Sequence, residues 1–230
     1  MEISGEIRCS SCTEASCAVA LLSEPELSEM ELHCKQFSLL PGESVLHQGV
    51  PFSHVIYLRN GIVKEYLSHP GQQEQIIQLI TGKSYLGLPS LFCGEVSKFT
   101  YKALTPLDLC YIGQETFRKL ILGNGRFAHE IMVSTCRETI QSHLRIIGLN
   151  RKQSYGRLAD ILLYLSDYIF ENPTFPLLLN RSELASMTAG SRENISRTLS
   201  RFQKEGLIRE EGGTMTILNR AKLEEIARMG

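Results

Sequence analysis

The order of apolar and polar positions divides the chain into a strand-rich part and a helical part. Between Phe37 and Tyr111, short apolar or alternating runs are separated by glycines at intervals of about 8–12 residues, which is typical of a β-barrel or β-sandwich. From Glu115 to about Leu149 the apolar period is helical, and a further amphipathic helix follows over Tyr155–Phe170. The pattern therefore predicts an α+β chain in which a β-domain precedes a long helix.

From residue 180 onward, the chain has the pattern of two helices followed by a hairpin. The Asn-Arg-Ser-Glu run at Asn180–Glu183 fits a capping box that opens a short first helix. Ala189-Gly190 makes a tight turn, and Ser191 caps a second helix that extends to about Gly206. Gly212-Gly213 predicts the hairpin. This order predicts a winged helix-turn-helix.

The second of these helices separates apolar from polar side chains. Its apolar face carries Ile195, Thr198, Leu199 and Phe202. Its polar side carries the candidate DNA contacts, namely Arg192, Glu193, Ser196, Arg197 and Ser200. Arginine can donate two hydrogen bonds to guanine and glutamate can accept one from cytosine, so this face is suited to binding in a major groove. Arg201 is better placed to contact phosphates. The alternative is an ordinary solvated helix, and the preceding helix, tight turn and hairpin argue against it.

Charge and composition add little to this picture. Residues 1–150 hold 12 Lys/Arg against 15 Asp/Glu, and residues 151–230 hold 12 against 10, so only the C-terminal part is slightly positive. No apolar stretch is long enough for a membrane span, and the N-terminus lacks a secretory pattern. We therefore expect a cytoplasmic chain with no membrane partner. Paired carboxylates, phosphate loops and nucleophile–base sets are missing from the sequence, which predicts that the chain is not an enzyme.

The seven cysteines are the compositional exception. An odd number in a reducing compartment argues against a disulfide framework. Three of them form a C-x2-C-x4-C run at Cys9, Cys12 and Cys17, and thiolates so close together suit an iron–sulfur cluster or zinc. Spare thiols, structural zinc, and a metal-free thiol switch at Cys9 and Cys12 are the alternatives. Cys34 and Cys136 are predicted to lie on helices as small buried apolar residues.

The segment from Ser191 to Ile208 resembles the winged helix-turn-helix of the CRP/FNR regulators, and the glycine-rich barrel, long helix and Arg151–Leu158 hinge follow that family's order. The resemblance implies a cysteine-rich cluster-binding segment at 1–19 and a cyclic-nucleotide-binding-like β-roll (a jelly-roll barrel) at 20–124. It also implies a dimerisation helix at 125–150 and the DNA-binding domain at 151–230. One departure is that Ala189 stands where the family's turn has glycine, so a slightly altered turn is expected.

The same resemblance assigns roles on the recognition helix. It implies that Glu193 and Arg197 read a G·C pair in each half-site of a palindromic promoter site. Ser196 is typical of the FNR branch, which favours TTGA-like half-sites, whereas Arg192 is similar to the residue that the CRP branch uses for TGTGA. The shared GA core is therefore predicted and the outer bases stay open. RNA polymerase is the further partner that the family implies.

Cyclic AMP is not the predicted ligand of the β-roll. In the stretch Gly87–Thr100, Leu88 replaces the acid and Lys98-Phe99 replaces the Arg-Ser pair that relatives use to hold the nucleotide. Lysine offers a point charge in place of arginine's bidentate fork, so a buried phosphate would be poorly compensated. Haem or another barrel ligand stays an alternative.

The sequence is instead similar to the FNR branch, whose N-terminal cysteine triad is completed by one barrel cysteine. Cys110 has that barrel position, which implies a [4Fe–4S] cluster on Cys9, Cys12, Cys17 and Cys110 that oxygen or nitric oxide degrades. The second spacing, x4, is one residue shorter than the commonest version. Cys93 is the leading substitute for Cys110.

A homodimer is expected through the long helix. Met132, Thr135, Thr139, Ser142 and Ile146 follow a 3-4-3-4 spacing and are predicted to line the dimer seam. Three of the five are polar, so the seam offers little apolar area. The dimer is therefore predicted to be marginal, and cluster loss is predicted to switch it off.

Overall fold

The computed structural model describes residues 2–3, 9, 12–51, 53–71, 73–94 and 96–230. The chain forms two compact units. The first comprises Met1–Ser68 and Leu79–Ile140, and the second comprises His69–Gln78 and Gln141–Gly230. The predicted α+β class, with a β-roll, a long helix and a winged helix-turn-helix, is confirmed. Among the described residues, no helix is long and apolar enough to cross a membrane.

The β-roll consists of two antiparallel sheets. Its strands are β1 (Glu2–Ile3), β2 (Cys34–Leu39), β3 (Ser44–Leu46), β4 (His54–Asn60), β5 (Ile62–Leu67), β6 (Gln75–Thr81), β7 (Ser84–Leu86), β8 (Thr100–Ala103) and β9 (Leu107–Gly113). One sheet has the order β1-β2-β9-β4-β7 and the other the order β3-β8-β5-β6. Turn glycines connect the strands as predicted, and Gly61 has φ +100° with the Pro106 carbonyl too close to admit a Cβ.

Strand β4 is buried on both faces, which explains its unbroken apolar run. Ile56 and Leu58 belong to the apolar cluster between the sheets, whereas Val55 and Tyr57 belong to a second cluster on the outer face. Side chains alternate along a strand, so the same alternation directs Cys110 of β9 toward the outer cluster. That outer face is where the cysteine-rich segment packs.

Helices and the N-terminal segment cover the outer face of the first unit. They include a 3-10 turn at Val19–Leu21, α1 (Glu24–Leu32), α2 (Leu88–Cys93), α3 (Gln114–Gly123) and the beginning of α4 (Gly125–Arg151). Ser23 and Glu26 form a capping box at α1. Two predictions are wrong here. Cys34 begins β2 and is not on a helix, because α1 ends two residues earlier, and Cys136 of α4 is exposed, not buried.

The second unit contains the winged helix-turn-helix. After α5 (Ser154–Tyr164) and one π-helical turn (Leu165–Ile169) come β10 (Thr174–Pro176), α6 (Arg181–Met187), α7 (Arg192–Lys204), β11 (Ile208–Glu211), β12 (Thr214–Ile217) and α8 (Arg220–Met229). The predicted hairpin is confirmed, because Gly212 and Gly213 at φ +56° and +79° join β11 to β12, and β10 extends that sheet. Gly156 lets α5 approach the backbone of Gly230.

Candidate DNA-binding surface and cysteine pocket

The turn between α6 and α7 is built around a strained alanine. Ala189 has φ +49°, a left-handed conformation that glycine adopts more easily, and the Gly190 N–H donates to the Ala185 carbonyl at 2.9 Å. The guanidinium of Arg157 donates to the Thr188 and Ala189 carbonyls at 3.0 and 3.4 Å. The turn is thus altered but intact, as predicted. Arg157 is a supporting residue that the sequence pattern did not identify, since its partners lie about thirty residues away along the chain.

Helix α7 presents the predicted two faces. Ile195, Thr198, Leu199 and Phe202 are buried, and the Ser191 hydroxyl caps the helix by accepting the Asn194 N–H at 3.2 Å. The candidate DNA contacts Arg192, Glu193, Ser196, Arg197 and Ser200 are all exposed. The pKa of Glu193 is lowered by its own backbone N–H and by the Ser191 hydroxyl, so its carboxylate is the form presented at the helix N-terminus.

Arg201 is held in place before any DNA binds. Its Nε donates to a Glu205 carboxylate oxygen at 2.7 Å, and its guanidinium lies 4.5 Å from the ring centroid of Tyr155. The Tyr155 hydroxyl donates to the same Glu205 carboxylate at 2.7 Å. Together with Ser196, Arg197, Ser200 and Lys204, Arg201 lines an open groove of about 420 Å³. The groove thus joins candidate base contacts to candidate phosphate contacts.

The cysteine-rich segment closes a small cavity over the outer sheet. The cavity measures about 20 Å³ and is lined by Cys9, Cys12, Cys34 and Cys110 together with Tyr57, Tyr85, Arg59 and apolar side chains. Of the predicted ligands, Cys9 and Cys12 are half-buried and Cys110 is buried. Cys17 is exposed and is not among the described residues that line the cavity. Cys93, the named substitute, is exposed at the end of α2 and is not among these lining residues either.

Cys34 is the pocket residue that the sequence pattern missed. It begins β2, pairs with Ile112 of β9, and thereby lies on the same sheet face as Cys110. Its side chain lines the same cavity as those of Cys9 and Cys110. The hydrogen bond from Cys34 lowers the pKa of Cys9 and that of Cys110, and the charge of Arg59 acts in the same direction. Contacts with Cys110 and Cys9, and then burial, raise the pKa of Cys34.

A buried cation faces these thiols. Arg59 is 8% exposed, and its Nη1 donates to the Gln36 side-chain oxygen at 3.2 Å. Its Nε has no hydrogen-bond partner among the described residues, although it is buried. An unpaired buried donor is costly unless an acceptor occupies the site. Arg59 therefore makes the pocket suitable for an anionic occupant.

The donor set consists of thiols, which are ligands for iron–sulfur clusters and for zinc. In the described parts of the chain, no three His, Cys, Asp or Glu side chains form a ready site for one metal ion. Four thiols nevertheless border one cavity beside a cation, and soft thiolates are the ligands that iron–sulfur clusters require. Cys9, Cys12, Cys34 and Cys110 are thus the residues that could hold such a group.

The comparisons with known proteins match both parts of the chain. Residues 36–124 match the model of the cyclic nucleotide-binding domain, and residues 156–226 match the model of the Crp-like helix-turn-helix domain. Both matches coincide with the β-roll and the winged helix-turn-helix of the structure. The chain belongs to the CRP/FNR family of transcription regulators. This CRP/FNR protein is therefore a DNA-binding regulator and not an enzyme.

Individual relatives of this CRP/FNR regulator come from both sides of the family. It is 28% identical over 185 residues to the transcriptional activator protein FnrA of Stutzerimonas stutzeri, covering 79% of this chain and 75% of that protein. It is 27% identical over 205 residues to the cyclic AMP receptor protein of Thermus thermophilus, covering 88% and 93%. The structure of FixK2 from Bradyrhizobium japonicum shares the fold, with a TM-score of 0.75, 19% identity and coverage of 84% and 96%.

One carboxylate is buried in the β-roll of this CRP/FNR regulator, and a second is close to it on helix α4. Glu65 is buried and accepts a hydrogen bond from the Tyr101 hydroxyl at 2.7 Å. Burial and the nearby Glu65 raise the pKa of Glu138, on α4, to about 7. Of the residues at the positions that relatives use to hold the nucleotide, Leu88 is buried and Lys98 is exposed.

Helix α4 exposes apolar side chains on two neighbouring stripes. Met132 and Ile146 of the predicted seam are exposed, and Ile140, Leu144 and Ile147 form a second exposed set about 100° further around the helix. Thr135 and Thr139 donate their hydroxyl protons to the carbonyls one turn earlier, at 3.0 and 2.9 Å. The seam threonines therefore need no polar partner across an interface.

Proposed function

We propose that this CRP/FNR regulator belongs to the FNR branch and that a [4Fe–4S] cluster controls its binding to DNA. The proposal rests on the convergence of Cys9, Cys12 and Cys110 on one cavity beside the buried cation Arg59. The family resemblance implies Cys17 as the fourth ligand, although Cys17 is not among the described residues that line the cavity. Similarity to FnrA supports the branch.

The chain's own residues link the pocket to the long helix. Ala18 and Val19, which follow the cysteine run, belong to the same apolar cluster as Phe127 and Ile131 near the start of α4. Coordination of Cys9 and Cys12 together with Cys110 would fix the segment against β9 and keep this cluster covered. The bound group supplies iron–sulfur bonds that oxygen or nitric oxide can break. Release of the segment would then uncover apolar surface beside the dimerisation helix.

On DNA, we propose that a homodimer reads a palindromic site with two α7 helices about one helical turn apart. Glu193 and Arg197 would contact the GA core, with Ser196 and Arg192 at the outer bases. Arg201 would approach the phosphates from its position over Tyr155. The seam would consist of Met132, Thr135, Thr139, Ser142 and Ile146. From family resemblance, the DNA-bound dimer would meet RNA polymerase, and we expect it to act in the cytoplasm without cyclic AMP.

A metal-free thiol switch is the second candidate. It is favoured by the thiols of Cys9, Cys12 and Cys34, which line one cavity, and the hydrogen bond with Cys34 lowers the pKa of Cys9, which makes that thiol more reactive. Structural zinc would use the same thiols but would be redox-silent. Both candidates lack iron and sulfide.

Metal analysis separates these proposals. The full chain would be purified and kept without oxygen, and its iron, sulfide and zinc would be determined together with its visible absorbance. The cluster model predicts about four iron and four sulfide per chain, with broad absorbance that disappears in air. A Cys93→Ser chain is the matched control, since Cys93 lies outside the pocket. Protein without iron and sulfide after anaerobic reconstitution would exclude the cluster, and stoichiometric zinc would assign the site to zinc.

A further inference from the structure

The cysteine pocket contains a thiol that belongs to neither the N-terminal run nor β9. Cys34 lines the cavity with Cys9, Cys12 and Cys110. Its position is fixed by the sheet, because β2 pairs with β9 along its whole length. A rigid strand places a ligand more precisely than a loop does.

Cys17, in contrast, is held away from the cavity by its neighbours. Ser16 and Ala18 on either side are buried, and the Ser16 hydroxyl lies 2.8 Å from the Tyr85 hydroxyl. The Val19 N–H donates to the same Ser16 hydroxyl at 3.2 Å. Turning Cys17 inward would break these contacts and expose Ala18.

A second set of contacts holds the chain on the N-terminal side of Cys17. The Tyr57 hydroxyl donates to the Glu14 carbonyl at 2.8 Å, and the Glu14 carboxylate pairs with Lys83 at 3.1 Å. The segment between Glu14 and Val19 is therefore tied to β4 and β7 in the register that leaves Cys17 exposed. Ligation by Cys17 requires these ties to be broken, whereas Cys34 already lines the cavity.

We propose that Cys34, and not Cys17, completes the thiolate set with Cys9, Cys12 and Cys110. This assignment rests on the cluster proposed above and identifies its fourth protein ligand. Each thiol gives up its proton to solvent when its sulfur binds iron. Arg59, whose buried Nε has no partner among the described residues, supplies the positive charge that a set of thiolates in a closed pocket requires. Arg59 is thus a positioning residue and not a ligand.

Serine substitutions in the full chain test the assignment. After anaerobic reconstitution, Cys34→Ser is expected to keep less than about a tenth of the wild-type iron and sulfide, because a three-thiolate site holds a cluster poorly. Cys17→Ser is expected to keep wild-type iron, sulfide and visible absorbance. Cys93→Ser is again the matched control. Wild-type iron in Cys34→Ser, or loss of iron from a folded Cys17→Ser, would overturn the assignment.

Two further measurements guard against misfolding. Circular dichroism and thermal unfolding of the metal-free variants establish whether Cys34→Ser folds, which is expected since serine is nearly isosteric. Independently, the loaded wild-type chain would be treated anaerobically with iodoacetamide and mapped by mass spectrometry. Rapid alkylation of Cys17 without loss of iron or absorbance supports Cys34. Protection of Cys17 that disappears when the cluster is removed contradicts it.

Iron and sulfide in the wild-type chain separate failure of the cluster proposal from failure of the Cys34 assignment. If the wild-type chain takes up no iron and sulfide, the proposed cluster itself is wrong. If the wild-type chain is loaded and Cys34→Ser is loaded equally, only the Cys34 assignment is wrong.

Discussion

At the scale of single residues, three positions are energetically unusual because of backbone strain or buried charge. Ala189 occupies a left-handed conformation between α6 and α7, and Arg59 is buried with an unpaired nitrogen beside thiols. Glu138 lies near a second carboxylate, that of Glu65. Each departure has a measurable consequence, because strain and desolvation alter stability in a known direction.

Replacing Ala189 with glycine is expected to stabilise the second unit by about 0.5–1 kcal/mol. Glycine removes the cost of the left-handed conformation in the folded state. This gain is expected to exceed the loss of stability that results from the greater conformational entropy of glycine in the unfolded chain. Urea unfolding of the full chain measures the change. The matched control is Ala221→Gly, at an exposed helical position of α8 without positive φ, where the same change is expected to destabilise the chain. Destabilisation by Ala189→Gly would show that the turn is not strained.

Glu138→Gln is expected to stabilise the protein above pH 7 and to have little effect near pH 4.5. The folded pKa of Glu138, about 7, lies above its ordinary value of 4.5, so the native state binds the extra proton and stability falls as pH rises between these values. We expect a gain of about 1–2 kcal/mol at pH 8, because solvent still reaches part of the side chain. Unfolding curves from pH 4.5 to 8 test this, with the exposed Glu211→Gln as control. A pH-independent difference between Glu138→Gln and wild type would contradict it.

At the scale of elements, the winged helix-turn-helix could be predicted almost completely because its signals are local. The capping box at Asn180 and Glu183, the Ser191 cap and the Gly212-Gly213 turn each act within four residues.

The cysteine pocket could be predicted only in part. Cys34 reaches it through pairing of β2 with β9, and strand register between distant segments leaves no local signal. The exposure of Cys17 likewise depends on the distant partners Tyr57 and Tyr85.

Arg197→Ala is expected to weaken binding to a palindromic site by about 1–3 kcal/mol and to relax the preference for the G·C pair of the GA core. Arg201→Ala should reduce affinity for all duplexes alike and reduce its salt dependence, because a phosphate contact carries no sequence information. Fluorescence anisotropy with TTGA-like, TGTGA-like and scrambled duplexes measures both. An equal loss of affinity for all three duplexes in Arg197→Ala would remove it from the specificity set.

Thr139→Ile is expected to strengthen dimerisation by about tenfold, because it adds apolar area to a seam that is mostly polar. The Thr139 hydroxyl donates only within its own helix, so its removal leaves no partner across the interface unsatisfied. Sedimentation equilibrium of the metal-free chain measures the effect. Gln141→Ile, at an exposed position outside the predicted seam, is the control. If only the control variant strengthens the dimer, the seam lies on the other face of α4.

At the scale of the whole molecule, the chain combines a winged helix-turn-helix with a cysteine pocket on the β-roll. The family, the fold and DNA binding follow from both parts of the chain. Control by a cluster is the central proposal. It predicts that cluster content and DNA affinity change together and that Cys110, which ties the cysteine run to β9, is required for both.

The most direct test follows DNA affinity and cluster absorbance in one sample. Anaerobic, reconstituted protein would be titrated with a fluorescent palindromic duplex before and during controlled exposure to air, alongside Cys110→Ser and the Cys93→Ser control. We predict that affinity falls by at least about tenfold in step with the absorbance, and that Cys110→Ser binds weakly throughout. Unchanged affinity after the absorbance is lost, or oxygen-responsive binding by Cys110→Ser, would contradict control by the cluster.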